Sequence, residues 1–491
     1  MMKELRGLLE KLDYTVLQGT LDRGITTLVY DSRKVEKDSL FVCIRGTAVD
    51  GHSFVAEVVE KGAGVLVVEE EVDVPSCVTV IRVEDTRQAL AYLAAAYFDY
   101  PADTLKVIGI TGTKGKTTTT YMVKSILENA GYRVGLIGTI EAIIGDEVIP
   151  ANNTTPESYV VQEYFRKMLD AGCEYAVMEV SSQGLMMRRV DGFTFDIGIF
   201  TNIEPDHIGP NEHASFEEYL ACKAMLFTKC RLGILNADDA HVDAVLEGHT
   251  CEVQTYGFSE KADLRATNMQ LVRDGGHLGV SYELTGLLEG TIEIPLPGRF
   301  SVYNSLTAVA ICRHYGASLA TMQRALQGAH VKGRIELVHV SDEFTLMIDY
   351  AHNAMSLESL LTTLKEYEPK RLVCLFGCGG NRSKLRRYEM GEVSGHLADL
   401  TIITSDNPRF EEPQAIIDDI KQGIDKTDGQ YVEIIDRKEA IRYAISHGQP
   451  GDIIVLAGKG HEDYQEIKGK KYPMDERVLI AEVLEELQQE S

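Results

Sequence analysis

The stretch LKVIGITGTKGKTTTTYMVKSILENAGYRVGLIG, residues 105–138, decides the fold of this chain. It begins with a short apolar run, 105–110, of the kind that forms a buried strand. Residues 117–130 then place their apolar side chains at helical spacing, and Gly131 follows where a helix cap belongs. A second apolar run occupies 133–138. A strand, a loop, a helix and a second strand in this order predict a parallel α/β sheet.

The loop between the first strand and the helix predicts a phosphate-binding site. Backbone N–H groups of such a loop, at a helix N-terminus, bind phosphate oxygens. Lys116 would bring a positive charge to the β- and γ-phosphates, and the Thr117 hydroxyl would be a ligand for Mg²⁺. Ile110 stands where the full G-x-x-x-x-G-K-[ST] pattern has its first Gly, so the alternative is a Gly-rich turn with exposed lysines. The strand before the loop and the helix after it favour nucleotide binding. The residues of the predicted phosphate loop are Gly112, Thr113, Lys114, Gly115, Lys116, Thr117 and Thr118.

Length and pattern divide the chain into three predicted α/β domains. At roughly 150 residues per domain, 491 residues suggest about three. A small α/β block occupies 1–102, the block with the phosphate loop and its parallel sheet occupies 103–333, and a doubly wound, Rossmann-like block occupies 334–491. In the last block, apolar strand-like runs alternate with helical stretches.

Composition excludes several classes of protein. A content of 44% hydrophobic and 25% charged residues is typical of a globular protein, not of a disordered, collagen-like or coiled-coil chain. The net charge of −26 argues against nucleic-acid binding but permits small phosphorylated ligands. Nine scattered cysteines predict buried thiols in a reducing compartment. Without a signal-peptide core or an apolar run of ~18 residues, the chain is expected to be cytoplasmic, with no membrane span.

Two further residues of the middle block are candidate Mg²⁺ ligands, because each follows a predicted strand of one sheet. Glu179 ends the apolar run 174–180, and His207 follows the run 195–201. Taken singly, each is more often structural. Lys223 lies within a helix predicted to start at the capping box Ser215-x-x-Glu218. Spacing alone favours a lysine whose stem reaches out to solvent.

The third block has four polar motifs, each just after a predicted strand. They are DYAHN at 349–353, GCGGNR at 377–382, DNPR at 406–409 and GKGHE at 458–462. Gly-rich loops at strand carboxyl ends are typical of ligand sites, and an Arg fork suits a carboxylate or phosphate. The alternatives are a turn for DNPR and a solvated face for the basic residues 382–387.

Together, the ordered motifs resemble the Mur ligases, ATP-dependent amide-forming enzymes of peptidoglycan precursor synthesis. The resemblance spans nearly the whole chain. Its motifs, in the family's order, are GTKGKTT, NTTP (153–156), EVSSQGL (179–185), TNIEPDHIG (201–209), YLACKAMLF (219–227), PGRFSVYNSLTA (297–308), GRIE (333–336), DYAHN, GCGGNR, DNPR and GKGHEDYQ (458–465).

The resemblance implies a role for each domain and for individual residues. The first domain would hold a UDP-sugar, the middle domain ATP, and the third domain the incoming amino acid. Besides the phosphate loop, the residues implied for ATP are Asn304, Arg334 and Asp349. Those implied for the UDP-muramoyl-dipeptide are Ser32, Asn153, Thr154, Thr155, Ser181 and Arg189. Those implied for the amino acid are Arg387, Asp406, Asn407, Pro408, Arg409, Gly458 and Glu462.

The resemblance also implies the cofactors and the catalytic groups. Mg²⁺ would be bound by Thr117, Glu179, His207 and Lys223. Lys223 would be carbamylated by CO₂ to N6-carboxylysine, which turns a cation into a carboxylate-like metal ligand and replaces the solvent-facing interpretation. The catalytic groups would be Lys116, Lys223, His207 and, as a base for the amine, His352.

The implied reaction joins an amine to the D-Glu side-chain carboxylate of UDP-N-acetylmuramoyl-L-Ala-D-Glu through an acyl phosphate. In this family DNPR accompanies meso-diaminopimelate, whose extra carboxylate Arg409 would bind. L-lysine lacks that group and would leave the guanidinium unsatisfied. A monomer acting on small molecules is expected, with domain closure bringing the acceptor and the amine together.

Other interpretations stay open at this stage. The same scaffold could add L-lysine or extend folate with glutamate. It could also be a nucleotide-binding module without catalysis, or a plain P-loop kinase or GTPase. Arg409 and the extended first block argue against the first pair. Intact Lys116, Glu179, His207 and Lys223 argue against a module without catalysis. The second α/β domain argues against a plain kinase or GTPase.

Overall fold

The computed structural model describes residues 2–46, 49–206, 208–209, 212–274 and 277–490. By its internal contacts the chain forms two compact units. One comprises Met1–Arg265 with Leu306–Met322, and the other Ala266–Ser305 with Gln323–Ser491. The helix Arg299–His314 and the strand Leu264–Asp274 each contribute residues to both units.

The first unit begins with a small α/β sheet. Its strands are parallel except for the first in spatial order, and the order is Thr15–Gln18, Thr79–Arg82, Ala63–Val68, Ser39–Val42 and Leu28–Val29. Lys3–Glu4 pairs separately with Gly24–Ile25. The helices of this part are Leu5–Leu8, Val55–Glu60 and Thr86–Tyr97, with 3-10 turns at Ser32–Lys34, Gly51–Phe54 and Pro101–Asp103. The α/β pattern predicted for this block is confirmed, because the helix Thr86–Tyr97 packs in one apolar cluster with this sheet and the helix Val55–Glu60 packs in a second.

The larger sheet of the first unit is built around the strand before the phosphate loop. In spatial order its strands are Glu147–Pro150, Glu141–Ile144, Val134–Ile137, Tyr175–Glu179, Lys106–Thr111, Phe195–Phe200, Cys230–Asn236, Glu252–Gly257 and the start of Leu264–Asp274. From Val134–Ile137 onward the pairings are parallel, as predicted. The edge hairpin 141–150 is antiparallel. The helices are Lys116–Asn129, Ser158–Asp170, Ser182–Met186, Phe216–Ala224 and Val242–Val245, with a 3-10 turn at Met225–Thr228.

The position of Lys106–Thr111 decides which side chains can reach the phosphate loop. Its parallel neighbours are Tyr175–Glu179 on one side and Phe195–Phe200 on the other. Glu179 pairs in register with Ile110, and Phe200 with Thr111. Residues that follow these two strands therefore emerge at the carboxyl edge beside the loop, where open α/β sheets bind ligands.

The second unit contains a doubly wound sheet. The order is Glu336–Val338, Thr345–Asp349, Asp452–Ala457, Arg371–Phe376, Leu400–Ile403 and Tyr431–Glu433, parallel after the first pairing. The helices are Ala354–Lys365, Lys384–Leu397, Pro413–Ile424, Arg437–Ser446 and Glu476–Glu490, and Leu319–Gln327 joins the two units in sequence. Two antiparallel pairs complete the unit, His277–Gly286 with Gly290–Ile294 and Tyr464–Ile467 with Lys470–Pro473.

The central strand of that sheet, Asp452–Ala457, lies between Thr345–Asp349 and Arg371–Phe376. The loops after all three strands, and after Leu400–Ile403, therefore open at one edge. This edge is where the four polar motifs of the third block are located.

Two global expectations can be compared with the described residues. No helix in the described ranges is long and apolar enough to cross a membrane. All nine cysteines are free thiols, and seven of them are buried.

Candidate active site

The phosphate loop has the backbone shape that its glycines make possible. Gly112 has a φ of +148° and Gly115 a φ of +85°. A Cβ at Gly112 would lie 1.9 Å from Oγ1 of Thr201, so a larger residue cannot be accommodated without moving the loop. The helix Lys116–Asn129 starts directly after Gly115 without a side-chain cap. Its N-terminal N–H groups and its dipole therefore favour an anion at this point.

The two residues that directly follow the strand Phe195–Phe200 hold the loop in place. The backbone carbonyl of Asn202 accepts from the Thr113 N–H at 2.9 Å, and its Oδ1 accepts from the Lys114 N–H at 2.9 Å. The Thr201 hydroxyl donates to the Lys114 carbonyl at 2.7 Å. Sequence reasoning assigned no role to Thr201 or Asn202. Their position right after a strand of the same sheet was the available signal.

Lys116 folds back over its own loop. Its Nζ donates to the carbonyls of Gly112 at 2.9 Å and Thr113 at 3.2 Å. The Lys116 ammonium group is thus held at the mouth of the loop, where the resemblance requires it.

Glu179 is the buried carboxylate of this edge, with no exposed surface. Its Oε2 accepts from the Thr117 hydroxyl at 3.1 Å and from the Thr139 hydroxyl at 2.9 Å. Its Oε1 accepts from the Thr139 N–H at 2.9 Å. Two residues proposed as metal ligands, Thr117 and Glu179, therefore come together. Thr139 was missed, because it lies in a loop between two strands that no sequence pattern singles out.

Lys223 lies on the helix Phe216–Ala224, whose predicted capping box is present. The Ser215 hydroxyl accepts from the Glu218 N–H at 3.2 Å. Only 1% of Lys223 is exposed, so the solvent-facing interpretation from spacing alone is wrong. Its Nζ lies 4.4 Å from the ring centre of Tyr219.

Burial lowers the pKa of Lys223 well below its ordinary value, and the charge of Lys116 lowers it further. Asp206 opposes this effect. The helix of Lys223 also contacts the phosphate loop, because the Tyr219 hydroxyl lies 3.0 Å from the Thr113 hydroxyl. His207, the remaining predicted metal ligand, lies outside the described residues.

The residues predicted for the dipeptide end of the acceptor form a hydrogen-bonded chain that starts at Glu179. The Thr155 hydroxyl donates to the Glu179 carbonyl at 3.0 Å and accepts from the Ser181 N–H at 2.9 Å. Nη1 of Arg189 donates to the Thr155 carbonyl at 3.0 Å. The hydroxyls of Thr154 and Thr139 lie 3.0 Å apart.

Two predicted residues of the acceptor site are placed less tightly. Asn153 is exposed in the bend before Thr154. Ser32 begins a 3-10 turn capped by Asp31, and its carbonyl accepts from Lys61 Nζ at 3.0 Å. The Arg33 guanidinium lowers the pKa of Asp31 to about 2. The turn that carries Ser32 is therefore held by an ion pair of its own.

Glu157 was also missed. It follows the NTTP motif and lies between two arginines, 3.3 Å from Nη1 of Arg87 and 3.7 Å from Nε of Arg189. Arg87 belongs to the small N-terminal sheet region and Arg189 to the predicted dipeptide site. Glu157 therefore connects these two parts of the first unit.

In the second unit, Asp349 ends the strand Thr345–Asp349 and orders the turn around it. Its two oxygens accept from the backbone N–H groups of Ile335 at 2.9 Å and Ala351 at 2.8 Å. Burial raises the pKa of Asp349, and the Arg334 guanidinium opposes that rise. Arg334 lies over the Tyr350 ring at 4.7 Å. Asn304 is 9% exposed on the helix Arg299–His314.

His352 has the geometry of a base. Its Nδ1 lies 2.9 Å from the Tyr350 carbonyl, which can only accept, so Nδ1 carries the proton in the neutral ring and Nε2 is an acceptor. Packing around His352 lowers its pKa, and the guanidiniums of Arg386 and Arg334 add to this effect, although the residue is exposed to solvent.

The Arg387 guanidinium is buried and hydrogen-bonded to carboxylates of the protein. Only 1% of its side chain is exposed. Its guanidinium donates to both carboxylate oxygens of Glu411, at 2.7 and 2.9 Å, and to Asp419 at 2.8 Å. The hydrogen bonds from Arg387 are the first cause that lowers the pKa of Glu411, to about 2. These contacts give Arg387 a bracing role between the helices Lys384–Leu397 and Pro413–Ile424.

The other residues predicted for the amino acid meet at the carboxyl edge of the second sheet. Nδ2 of Asn407 donates to Glu462 Oε2 at 2.9 Å. A Cβ at Gly458 would lie 3.3 Å from Asp406 Oδ2, and one at Gly380 would lie 1.9 Å from the Pro408 carbonyl. The loops that carry these residues therefore pack directly against each other.

Arg409 extends this cluster in an unusual conformation. Its φ is +53°, and its backbone pairs with the hairpin strand Tyr464–Ile467. Its Nε donates to Glu466 Oε2 at 3.1 Å, and its Nη1 to the Gly380 carbonyl at 2.8 Å. The hairpin thus fixes the direction of the Arg409 guanidinium.

Comparison with known proteins identifies the scaffold. Three models of the family match along the chain: "Mur ligase family, catalytic domain" at 24–98, "Mur ligase middle domain" at 110–312, and "Mur ligase, glutamate ligase domain" at 333–460. Similar proteins include two named UDP-N-acetylmuramoyl-L-alanyl-D-glutamate--2,6-diaminopimelate ligase. The one from Clostridium perfringens is 42% identical and covers 98% of this chain and 99% of its own. The one from Clostridium acetobutylicum, numbered 1, is 44% identical and covers 99% and 100%.

Solved structures agree with this assignment. A structure of a ligase with the same name has a TM-score of 0.74 at 28% identity, over 99% of this chain and 100% of that one. MurF from Acinetobacter baumannii has a TM-score of 0.63 at 20% identity, over 99% of both chains, a likeness of fold alone. On full-length identity and three matching domain models, this chain belongs to the Mur ligase family.

Proposed function

We propose that this chain is the ATP-dependent ligase that adds meso-2,6-diaminopimelate to the D-Glu side-chain carboxylate of UDP-N-acetylmuramoyl-L-Ala-D-Glu, releasing ADP and phosphate. The observation that carries the proposal is the identity of 42–44% along the full chain to ligases of that printed name. The proposal includes domains at 1–102, 103–333 and 334–491, a monomeric enzyme without a nucleic-acid partner, and a cytoplasmic location.

The first step is phosphoryl transfer. An oxygen of the D-Glu side-chain carboxylate attacks the γ-phosphorus of ATP, and the bond from that phosphorus to the bridging oxygen of ADP breaks. Backbone N–H groups at the start of the helix Lys116–Asn129 bind the phosphate oxygens. The Lys116 ammonium neutralises charge that builds up during transfer. Elsewhere on the nucleotide, we propose that Asn304, Arg334 and Asp349 contact ATP.

The donor set at Glu179 fits a magnesium ion. A buried carboxylate and a threonine hydroxyl lie 3.1 Å apart, and both are hard oxygen ligands. A protonated Lys223 could not coordinate a cation, but its lowered pKa favours the neutral amine that reacts with CO₂, and the resulting carbamate offers oxygen ligands. When bound, Mg²⁺ supplies positive charge to the transferring phosphoryl group. We propose Thr117, Glu179, His207 and carbamylated Lys223 as the residues that hold it.

The acceptor is held by residues of the first unit. The hydrogen-bonded chain from Glu179 through Thr155 to Arg189 gives a cation and hydroxyl groups close to the phosphate loop. These groups suit the carboxylates and amides of a muramoyl dipeptide. The complete proposed set is Ser32, Asn153, Thr154, Thr155, Ser181 and Arg189.

The second step forms the amide. The amine nitrogen attacks the acyl carbon of the acyl phosphate, and the bond from that carbon to the phosphate oxygen breaks. The attacking nitrogen loses a proton, which Nε2 of His352 accepts. The neutral ring that the low pKa of His352 favours is the form that can act as a base.

The amino acid is proposed to bind at the edge formed by Asp406, Asn407, Pro408, Arg409, Gly458 and Glu462. Arg409 would bind the distal carboxylate of diaminopimelate, and Glu462 the distal ammonium. Arg387, with its guanidinium held by Glu411 and Asp419, is proposed to support this site from behind.

A competition assay tests the proposal. The purified protein is given ATP, Mg²⁺ and UDP-N-acetylmuramoyl-L-Ala-D-Glu with equal meso-diaminopimelate and L-lysine, and the products are weighed by mass spectrometry. We expect the diaminopimelate product alone. A lysine product would overturn the role of Arg409 while keeping the ligase, and no product would overturn the ligase assignment.

Two variants sharpen the result. Arg409→Ala is expected to raise the KM for diaminopimelate far more than the KM for ATP. Arg324→Ala, an exposed arginine on the helix Leu319–Gln327, is the matched control and should change neither. Equal effects of Arg409→Ala on both KM values would make Arg409 structural.

A further inference from the structure

The loop after the central strand of the second sheet carries a lysine, Lys459, whose side chain points into the protein interior. Lys459 lies between Gly458 and Gly460, whose φ values are +106° and +53°. This backbone directs the side chain inward, and Lys459 has no exposed surface. Burying an ammonium group costs free energy unless it is paired and hydrogen-bonded, so its hydrogen-bond partners indicate why it is buried.

Two of its three partners belong to the proposed amino-acid edge, and the third is a backbone carbonyl of the adjoining hairpin strand Tyr464–Ile467. Nζ of Lys459 donates to Asn407 Oδ1 at 2.9 Å, to Glu462 Oε2 at 2.7 Å and to the Tyr464 carbonyl at 2.6 Å. An ammonium group has three N–H donors, so each one is used. Lys459 is therefore saturated and has no donor left for a substrate.

The contacts orient Asn407 and Glu462. With Oδ1 of Asn407 accepting from Lys459 and from the Glu466 N–H at 2.9 Å, its Nδ2 must face Glu462. Oε2 of Glu462 accepts from both Lys459 and Asn407. Oε1 of Glu462 accepts no hydrogen bond from the part of the chain that the structure describes, and is left to face a ligand.

We propose that Lys459 is a positioning residue for the amino-acid substrate, which fixes Glu462 and Asn407 so that one carboxylate oxygen is presented to the substrate's ammonium group. This inference rests on the proposed function. It assigns Lys459 no contact with substrate. Its effect reaches the reaction through Glu462 and Asn407.

The test separates amino-acid binding from the earlier chemistry. Hydroxylamine attacks an acyl phosphate directly and releases phosphate and a hydroxamate, so hydroxamate formation reports the first step without the amino-acid site. Wild type, Lys459→Met and the control Lys470→Met, an exposed lysine on the nearby hairpin, are compared in both assays.

We expect Lys459→Met to raise the KM for diaminopimelate roughly tenfold to a hundredfold, the range for losing a buried charge-assisted contact and its geometry. Hydroxamate formation and the KM for ATP should stay within twofold of wild type, and Lys470→Met should change nothing. An unchanged KM for diaminopimelate, or an equal loss in both assays, would overturn the proposal.

A double-mutant cycle with Glu462→Gln gives a second, independent readout. If Lys459 acts through Glu462, the double variant should be little worse than Glu462→Gln alone. Effects that multiply would overturn the proposal. If Lys459→Met does not fold, Lys459→Gln retains polar donors in the same place and is judged by the same criteria.

Failure of the proposed function gives a different result. If wild type makes neither hydroxamate nor the diaminopimelate product, the ligase assignment fails. If wild type makes both and Lys459→Met behaves as wild type, only the role of Lys459 fails.

Discussion

Replacing Arg387 with methionine should destabilise the second unit. The guanidinium is 1% exposed and makes three short hydrogen bonds to the carboxylates of Glu411 and Asp419. Removing one partner from a buried ion pair costs about 3–5 kcal/mol, because the remaining charge is left uncompensated. Asp419 is 7% exposed and keeps the Lys384 ammonium group at 3.2 Å, and Glu411 is 29% exposed, so water can solvate it. We therefore expect about 3 kcal/mol.

For a unit of this size, 3 kcal/mol corresponds to a fall in Tm of roughly 6–12 °C. Differential scanning calorimetry of the full chain measures this fall. Arg386→Met is the matched control, because Arg386 precedes Arg387 on the same helix, is half-buried and forms no ion pair within the described residues. Its Tm should stay within about 2 °C of wild type, the range of ordinary surface substitutions.

The stability difference between wild type and Arg387→Met should also depend on pH. The folded pKa of Glu411, about 2, lies below its ordinary value of 4.5. Ionised Glu411 therefore stabilises the fold above pH 4.5, and this contribution is lost as the pH falls toward 2. The gap in stability between wild type and Arg387→Met should narrow over this range. A variant as stable as wild type, with only a higher KM for diaminopimelate, would refute the bracing role and make Arg387 a substrate ligand.

Three other perturbations test separate parts of the molecule. Gly112→Ala should lower kcat/KM for ATP about 100-fold in the hydroxamate assay, since its Cβ would lie 1.9 Å from Thr201 Oγ1; a loss below threefold would contradict this. His352→Gln should slow amide formation by a factor of about 10²–10⁴. In wild type the rate of amide formation should fall at a pH below 6.5, where His352 becomes protonated, because the folded pKa is lowered. The variant should lack this fall, and a variant that keeps it would exclude His352 as the base. Burial and the Arg334 guanidinium lower the pKa of His461 to about 4. The free energy of unfolding of wild type should therefore fall by roughly 3 kcal/mol between pH 6.5 and 4, and that of His461→Asn should not show this fall. The same pH dependence in urea unfolding of the two proteins would contradict this.

Local features of this protein could be predicted because their causes are local. The strand Lys106–Thr111, the phosphate loop and the helix Lys116–Asn129 follow from an apolar run, two glycines and a helical periodicity within 25 residues. The capping box at Ser215 needs only the residue three positions later. Alternation of apolar strands with helices was sufficient for the parallel sheets, and the ordered motifs were sufficient for the family resemblance.

Other features depend on which strands become neighbours. The antiparallel strands His277–Gly286 and Gly290–Ile294 were not predicted, because their burial comes from pairing and not from a strong apolar run. Thr139 reaches Glu179 across 40 residues of sequence, through the order of strands in the sheet. Neither contact has a signature in the residues nearby.

The same holds for the three buried cations. The fates of Lys223, Arg387 and Lys459 were set by neighbours that converge from distant segments: Lys116 lies more than 100 residues from Lys223, and Glu411 is 24 residues from Arg387. A charged side chain looks the same in sequence whether it faces water or a buried carboxylate. Only the folded chain, by removing water and bringing distant charged groups together, distinguishes these three buried cations from lysines and arginines on a solvated surface.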